Sequence, residues 1–325
     1  MLTNLIWFFF QIFGLFWGIK IALKVKPDVI YAHSFASAFP AYLVSLFFKT
    51  KLIVRIYGTG NLYWKWNNPW FRLKESRDYL AFKIPADYFV ITNDGSHGDL
   101  LAKRLSVADK KIKYWRNGID EGTHEPEPSA KEEICTLLNI NYSSKIIVST
   151  CRLIYHYGVD KLFSILVDVF KRESNTICII AGSGPKQKEL ENFVHKNNIS
   201  SKVFFLGIVD REMIKKILNA ADIFVLLSRY HNCTNTMWEA MACGKCIVTT
   251  ETDAIKEVLI SGESAILVPG EKMNDLPGIL VNLLNNNQLR ETLGRNARSR
   301  AREVLEPWPK RVEKEAILLE ELVKK

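Results

Sequence analysis

Apolar residues in this chain fall mostly in short unbroken runs rather than in strict alternation with polar ones. Such runs occupy 28–32, 52–56, 88–92, 145–150, 176–181, 203–206, 222–227, 245–249 and 265–268, and most are rich in β-branched residues. A strand buried on both faces of a parallel sheet reads this way, because neither face meets water. Between the runs lie segments with helical spacing of apolar positions: 36–48, 98–105, 159–170, 186–196, 211–220, 235–243 and 276–285. Strand and helix alternating along the chain predict an α/β fold built on doubly wound parallel sheets. No repeat of solenoid period occurs.

The alternation breaks once, at N-G-I-D-E-G-T-H-E-P-E-P-S over 117–129, a turn-rich and charged stretch with two prolines. It predicts two Rossmann-like domains, 1–122 and 123–325, whose C-terminal strand ends line a shared cleft. After Pro307 and Pro309 the last stretch reads as a separate amphipathic helix, expected to pack back on the first domain.

Charge separates the two parts. The chain carries +9 overall, and residues 1–122 hold 17 Lys/Arg against 9 Asp/Glu, so nearly all of the excess is there. A basic cluster at Lys103, Arg104, Lys110, Lys111 and Lys113 has no helix-turn-helix, zinc-finger or RNP pattern beside it. No nucleic-acid partner is expected; the charge suits an anionic membrane surface or a solvated face. Residues 1–19 contain no charge and include Trp7, Phe8, Phe9, Phe10, Phe13, Phe16 and Trp17; Lys20, Lys24 and Lys26 follow. With no basic start and no small-residue cleavage site, a signal peptide is not expected. It is read as a buried or membrane-surface helix over 1–26, with a true span and an exposed remnant of a longer domain as the other readings. Six irregularly spaced cysteines point to reduced thiols and a cytoplasmic protein at the membrane periphery. Cys243 and Cys246 form a C-x-x-C that closes a helix rather than opening one, which is the wrong end for a redox motif.

Candidate chemistry concentrates in 228–248, S-R-Y-H-N-C-T-N-T-M-W-E-A-M-A-C-G-K-C-I-V. A strand runs into a polar loop, a helix starts near Asn235, and Gly244 ends it. Free N–H groups and the positive end of the helix dipole at such a start suit a phosphate. Glu239, one turn in, can hold a ribose diol. Capping alone also accounts for Asn235. Arg152 follows a strand and precedes a helix, where a guanidinium can bind diphosphate bidentately. Gly182 and Gly184 make a tight turn after a strand, which serves a nucleotide or simple packing equally well.

The ordered motifs together resemble the retaining GT-B glycosyltransferases often called family 4, the glycosyl transferases group 1. K-P-D-V-I-Y-A-H over 26–33 looks like the first-domain strand, and N-G-I-D over 117–120 like the interdomain turn. R-L-I-Y-H-Y-G-V-D over 152–160 looks like the R-L-x-x-x-K-G-x-D loop, and I-A-G-S-G-P over 180–185 like the I-x-G-x-G-P turn. The stretches 221–228 and 239–245 complete the set. The resemblance implies Arg152, His231 and His33 as catalytic residues. It implies Arg152, Gly158, Gly182, Gly184, Asn232, Asn235, Thr236 and Glu239 as the nucleotide-sugar site.

The chain departs from the family at three positions. Tyr157 replaces a lysine, for which Lys161 one turn on is the nearest substitute; His231 replaces an acid; Tyr57 replaces a histidine before Gly58. His33 remains in the other strand, where a capping role is the alternative. The first domain is also expected to be short, without the family's opening strand and Gly-rich loop. The implied activity is transfer of a sugar, with retention, from a UDP- or GDP-sugar to a glycan or lipid-linked acceptor in cell-surface polysaccharide or glycolipid synthesis. No D-x-D occurs, so no metal and no permanent cofactor are expected. The departures also fit a homologue that binds nucleotide sugar, or a partner, without turnover.

Overall fold

The computed structural model describes residues 2–120 and 125–324 and divides into two compact units. Unit 1 comprises 1–118 with 308–325, and unit 2 comprises 119–307. The boundary read from the sequence, at 122/123, lies outside the described residues.

Unit 1 holds four parallel strands, β1 (Val29–His33), β2 (Lys51–Ile56), β3 (Tyr88–Thr92) and β4 (Ile112–Trp115), side by side in chain order. Every crossover therefore steps in the same direction. Right-handed crossovers then place all connecting helices on one face, over a core of Val54, Ile56, Phe89, Ile91, Leu101 and Phe82. The opposite face would stand bare. Leu318, Leu319 and Leu322 of the C-terminal helix (Trp308–Val323) cover it, packing on Ile53, Val90, Tyr31 and Trp115. Each leucine buried there contributes about 2 kcal/mol. Arg311 of that helix is 1% exposed: it pairs with Glu315 at 2.8 Å, donates to the Arg116 carbonyl and lies over the Trp115 ring. Glu315 also pairs with Arg55 and accepts from the Tyr31 hydroxyl.

Two helices build the outer layers of unit 1. Helix α1 (Leu2–Val25) packs on α2 (Phe35–Phe48) through a small-residue stripe; a Cβ at Gly14 would touch Pro40, and one at Gly18 would fall 2.9 Å from Val44. Pro40 has no N–H to give the Ala36 carbonyl, and Gln11 of α1 donates to that carbonyl at 3.0 Å. Ala22 is also buried, but the aromatic face of α1 is not. Phe8, Phe9, Phe10, Phe13, Phe16, Trp17 and Ile21 are exposed. The stretch Ile6–Val25 is long and apolar enough to cross a membrane, with only 11% of its apolar window buried. The described part of the helix is thus not a core helix.

Unit 2 is doubly wound. Its strands are β5 (Lys145–Thr150), β6 (Thr176–Ala181), β7 (Val203–Gly207), β8 (Ile223–Leu226), β9 (Cys246–Thr250) and β10 (Ile266–Val268), all parallel. They lie in the order β7-β6-β5-β8-β9-β10. Helices cover both faces, with Ile146, Val148 and Phe224 in one core layer and Ile147, Ile223 and Val225 in the other.

The nine strands expected from apolar runs are all present, within one residue at either end. The tenth, β4, is missing from that expectation. Its sequence I-K-Y-W is only half-buried, so it carries a lysine where an interior strand would carry valine or isoleucine. Helices Ala130–Leu138 and Asn287–Val304 were likewise not expected; the second buries only a narrow stripe of Leu293, Gly294, Ala297 and Ala301 within a strongly polar sequence.

Candidate functional site

In unit 2 the strand order reverses between β5 and β8, and the loops leaving their C-terminal ends diverge there. This is the topological switch point, where open α/β sheets bind ligands. The loop after β5 carries Arg152 and leads through a turn at Tyr155–Tyr157 into the helix Val159–Arg172. The loop after β8 carries His231 and Asn232 and leads into the helix Asn235–Ala242.

Backbone bonds hold the first loop rigid. Cys151 N donates to Ala181 O, Leu153 N to Ser183 O and Lys186 N to Leu153 O, at 2.9–3.0 Å. Arg152 stands between two anchored residues, exposed, and its guanidinium has no ion-pair or hydrogen-bond partner among the described residues. A fixed backbone bearing an exposed cation can serve as a preorganised anion site.

Gly182 and Gly184 serve this close packing directly. A Cβ at Gly182 would lie 1.9 Å from Cys151 O, and one at Gly184 2.5 Å from Leu153 O. Gly158 has φ +65° and a Cβ there would lie 1.9 Å from Leu227 O. Both requirements oppose any side chain. We expect Gly158→Ala to destabilise the protein by about 2 kcal/mol or more, measured by urea unfolding; a loss under about 0.5 kcal/mol would mean the two loops can separate freely.

The second loop is tied to the first. Arg229 forms a two-point ion pair with Asp160, both contacts 2.8 Å, and its guanidinium lies 3.9 Å over the Tyr155 ring. Arg229 N donates to His156 O, and the His156 ring stacks on Tyr230 at 4.4 Å. The Arg229 guanidinium holds the Asp160 carboxyl below its usual range. Tyr157, which stands in place of the family's lysine, packs edge-on to Tyr230. These residues lie within the 152–160 motif and the 228–248 stretch, but their pairing carried no sequence signal, because it depends on loops that come together only in the folded sheet.

Thr234, not Asn235, caps the helix: its side chain accepts from Met237 N, and its hydroxyl lies 2.9 Å from that of Thr236. Asn235 is instead the first helical residue and is exposed. Threonine wins because it has the extended backbone the cap position requires. The Asn232 Oδ1 is buried with no hydrogen-bond partner among the described residues, an acceptor left open in the loop. Glu239 lies in the second turn. Burial pushes its carboxyl from 4.5 up to about 7, against the lowering pull of Arg211, which is itself paired with Asp120 at 3.0 Å. None of the six cysteines forms a disulfide among the described residues. Burial drives the Cys243 and Cys246 thiols up to about 12, which leaves them unreactive.

Unit 2 thus gathers Arg152, Gly158, Gly182, Gly184, His231, Asn232, Asn235, Thr236 and Glu239 on the loops and helix starts at one end of its sheet. His33 belongs to unit 1, at the end of β1. Its Nδ1 lies 2.6 Å from the Tyr57 hydroxyl, and partial burial and the nearby Arg55 charge lower its pKa.

Two parallel-stranded Rossmann-like units of this kind define the GT-B fold of glycosyltransferases. A family model described as "Glycosyl transferases group 1" matches residues 131–300, and one described as "Glycosyltransferase Family 4" matches 5–122. The chain belongs to the glycosyl transferases group 1. Two uncharacterized glycosyltransferases of Methanocaldococcus jannaschii are 24% and 27% identical to it, over 84% and 75% of this chain. The chain spans 70% and 60% of their respective lengths. The structure of Anabaena HepE in complex with UDP and glucose is similar in fold, with TM-score 0.78 and 18% identity over 94% of this chain and 81% of that one.

Proposed function

We propose that the protein transfers a sugar, with retention and without a metal, from a UDP- or GDP-sugar to a glycan or lipid-linked acceptor. The setting is the cytoplasmic surface of a membrane contacted by α1, during synthesis of cell-surface polysaccharide or glycolipid. The observation that carries this reading is the exposed Arg152 guanidinium, without a partner among the described residues, at the switch point between β5 and β8.

In this reading the diphosphate sits against Arg152 and the first N–H groups of the helix at Asn235. Charge grows on the diphosphate as the glycosidic bond breaks, and both groups stabilise it more in the transition state than in the ground state. Glu239 accepts hydrogen bonds from the ribose diol. Gly158, Gly182 and Gly184 keep the backbone close to the ligand. Asn232 and Thr236 face it, and His231 supplies an imidazole toward the sugar. His33, in unit 1, serves the acceptor. Support for a nucleotide-sugar donor also comes from HepE, which is described in complex with UDP and glucose.

Tyr157 favours a second reading. It stands at the motif position of the family's lysine and packs on Tyr230, which fits a homologue that binds nucleotide sugar without turnover. Incubation with UDP- and GDP-sugars, followed by measurement of released nucleotide, separates the two. Release is expected. Saturable binding with no release, across acceptors, would establish the non-catalytic reading, and no binding at all would remove both.

A further inference from the structure

Strand pairing does not space the two loops at the switch point. β5 and β8 pair at Ile147↔Ile223 and Val148↔Phe224, so their ladder stops two residues short of the end of each strand. Backbone bonds anchor the Arg152 loop to Ala181 and Ser183, on the side away from β8. The distance from that loop to the helix start at Asn235 therefore depends on contacts between the loops themselves.

Arg229 makes several of these contacts from one position. Its N–H donates to the His156 carbonyl at 2.7 Å. Its guanidinium donates to the Tyr155 carbonyl and to both oxygens of Asp160, and lies over the Tyr155 ring. Asp160 is in the first turn of the helix Val159–Arg172, so the pair also fixes the helix that follows the Arg152 loop. The side chains are only 20% and 34% exposed. A planar two-point pair of this kind has one geometry, where a single ammonium contact would have many. The His156 ring stacked on Tyr230, and Tyr157 edge-on to it, close the same seam. Because the Arg229 guanidinium is committed to Asp160 and Tyr155, it is not a second anion-binding cation beside Arg152.

We propose that Arg229, acting through Asp160, is a positioning residue for the donor: it holds the Arg152 loop and the Asn235 helix start at the spacing a diphosphate bridges before any ligand arrives. This role rests on the nucleotide-sugar reading of unit 2. Without the clamp the competent spacing is only part of the population, and apparent affinity falls by that fraction. Ground state and transition state need the same spacing, so the loss falls on KM and not on kcat.

The test uses the full chain. Arg229→Gln and Asp160→Asn should each weaken UDP- or GDP-sugar binding about fivefold or more in calorimetric titration. The double variant should bind no worse than either single one, since one change already opens the clamp. Arg229→Lys should recover part of the affinity. In nucleotide release KM should rise about fivefold or more with kcat within about twofold, the opposite of the kcat loss expected for Arg152→Ala. Hydrogen exchange without ligand should quicken at the amides of Tyr157, Gly158, Arg229 and Tyr230, and stay unchanged at Cys151 and Leu153, which bond to the other side of the loop. Asp168→Asn, which opens an exposed ion pair with Lys171 on the same helix, should alter none of these readings. If circular dichroism shows that Arg229→Gln does not fold, Asp160→Asn and Arg229→Lys carry the test.

Unchanged affinity in the single variants, or unchanged exchange at those four amides, would overturn the proposal. So would a loss confined to kcat, or additive losses in the double variant, because each would have the two residues meet the ligand separately. A wild type that binds no UDP- or GDP-sugar would refute the donor reading, and the positioning role would fall with it. A wild type that binds donor, beside variants that bind it equally well, would keep that reading and remove Arg229 from it.

Discussion

Arg152→Ala should reduce nucleotide release from the preferred UDP- or GDP-sugar by roughly 10²–10³-fold, the usual effect of removing a group that stabilises developing charge. The melting temperature should stay within the small range typical of surface changes, because the side chain is exposed and has no partner among the described residues. The backbone around it is held independently, through Cys151, Leu153, Ser183 and Lys186. Loss of activity would therefore not trace to a collapsed loop. Arg152→Lys should recover only part of the rate, since an ammonium cannot match two phosphate oxygens in one plane. Full activity in Arg152→Ala would remove the residue from the site. A large fall in melting temperature would instead mark it as structural.

Glu239→Gln should move stability and binding in opposite directions. The carboxyl titrates near 7 in the folded protein against 4.5 ordinarily, mainly because it is buried. Its folded pKa is raised, so its contribution to stability is complete below pH 4.5 and is lost as pH rises through about 7. Above that pH the folded chain carries a largely buried charge with no ion-pair partner among the described residues, at a cost of roughly 3 kcal/mol at most. Glutamine removes the charge. We expect a higher melting temperature for the variant at pH 8 and no difference at pH 4.5. Binding should weaken by roughly 10- to 100-fold, the worth of a hydrogen bond to a charged acceptor. Wild-type affinity should likewise fall as pH drops below 7 and the carboxylate is protonated. If the variant loses stability at pH 8, or binds as tightly as the wild type, Glu239 has no place in the ribose site.

This tension between stability and binding could not be read along the chain. Glu239 stood out by its position, one turn into a helix after a polar loop. That burial had raised its pKa, with Arg211 and Asp120 nearby, came only from the packed sheet. The same holds for Arg152. Its place after a strand was visible, yet an exposed guanidinium with no partner among the described residues, on a doubly anchored loop, is a property of the fold. For Asn235 the local reading pointed to a capping residue, and the cap is its neighbour Thr234, because two adjacent candidates differ only in backbone conformation.

The C-terminal helix makes the contrast clearer. Its amphipathic pattern after Pro307 and Pro309 was plain in the sequence. Nothing local could say that its leucines cover the bare back of the first sheet. That need arises because four strands in chain order send every crossover to one side. The N-terminal helix is similar: its composition announced an uncharged aromatic segment, and its packing on α2 left most of that surface exposed.

The residues alone were enough for the α/β class, nine of the ten strands and the loops and helix start that carry the proposed donor residues. A strand buried on both faces must be apolar throughout, and a loop that feeds a helix start must be polar, so both features are written in consecutive residues. Only the tertiary structure decided that Arg229 grips Asp160, that Glu239 is held half-neutral near pH 7, and that Arg55 and Arg311 share one carboxylate. The Arg229–Asp160 and Arg55–Glu315 pairs join residues 69 and 260 positions apart. No period of two or 3.6 residues encodes a partner at that distance; the meeting is set by strand order and by which faces are left to be covered.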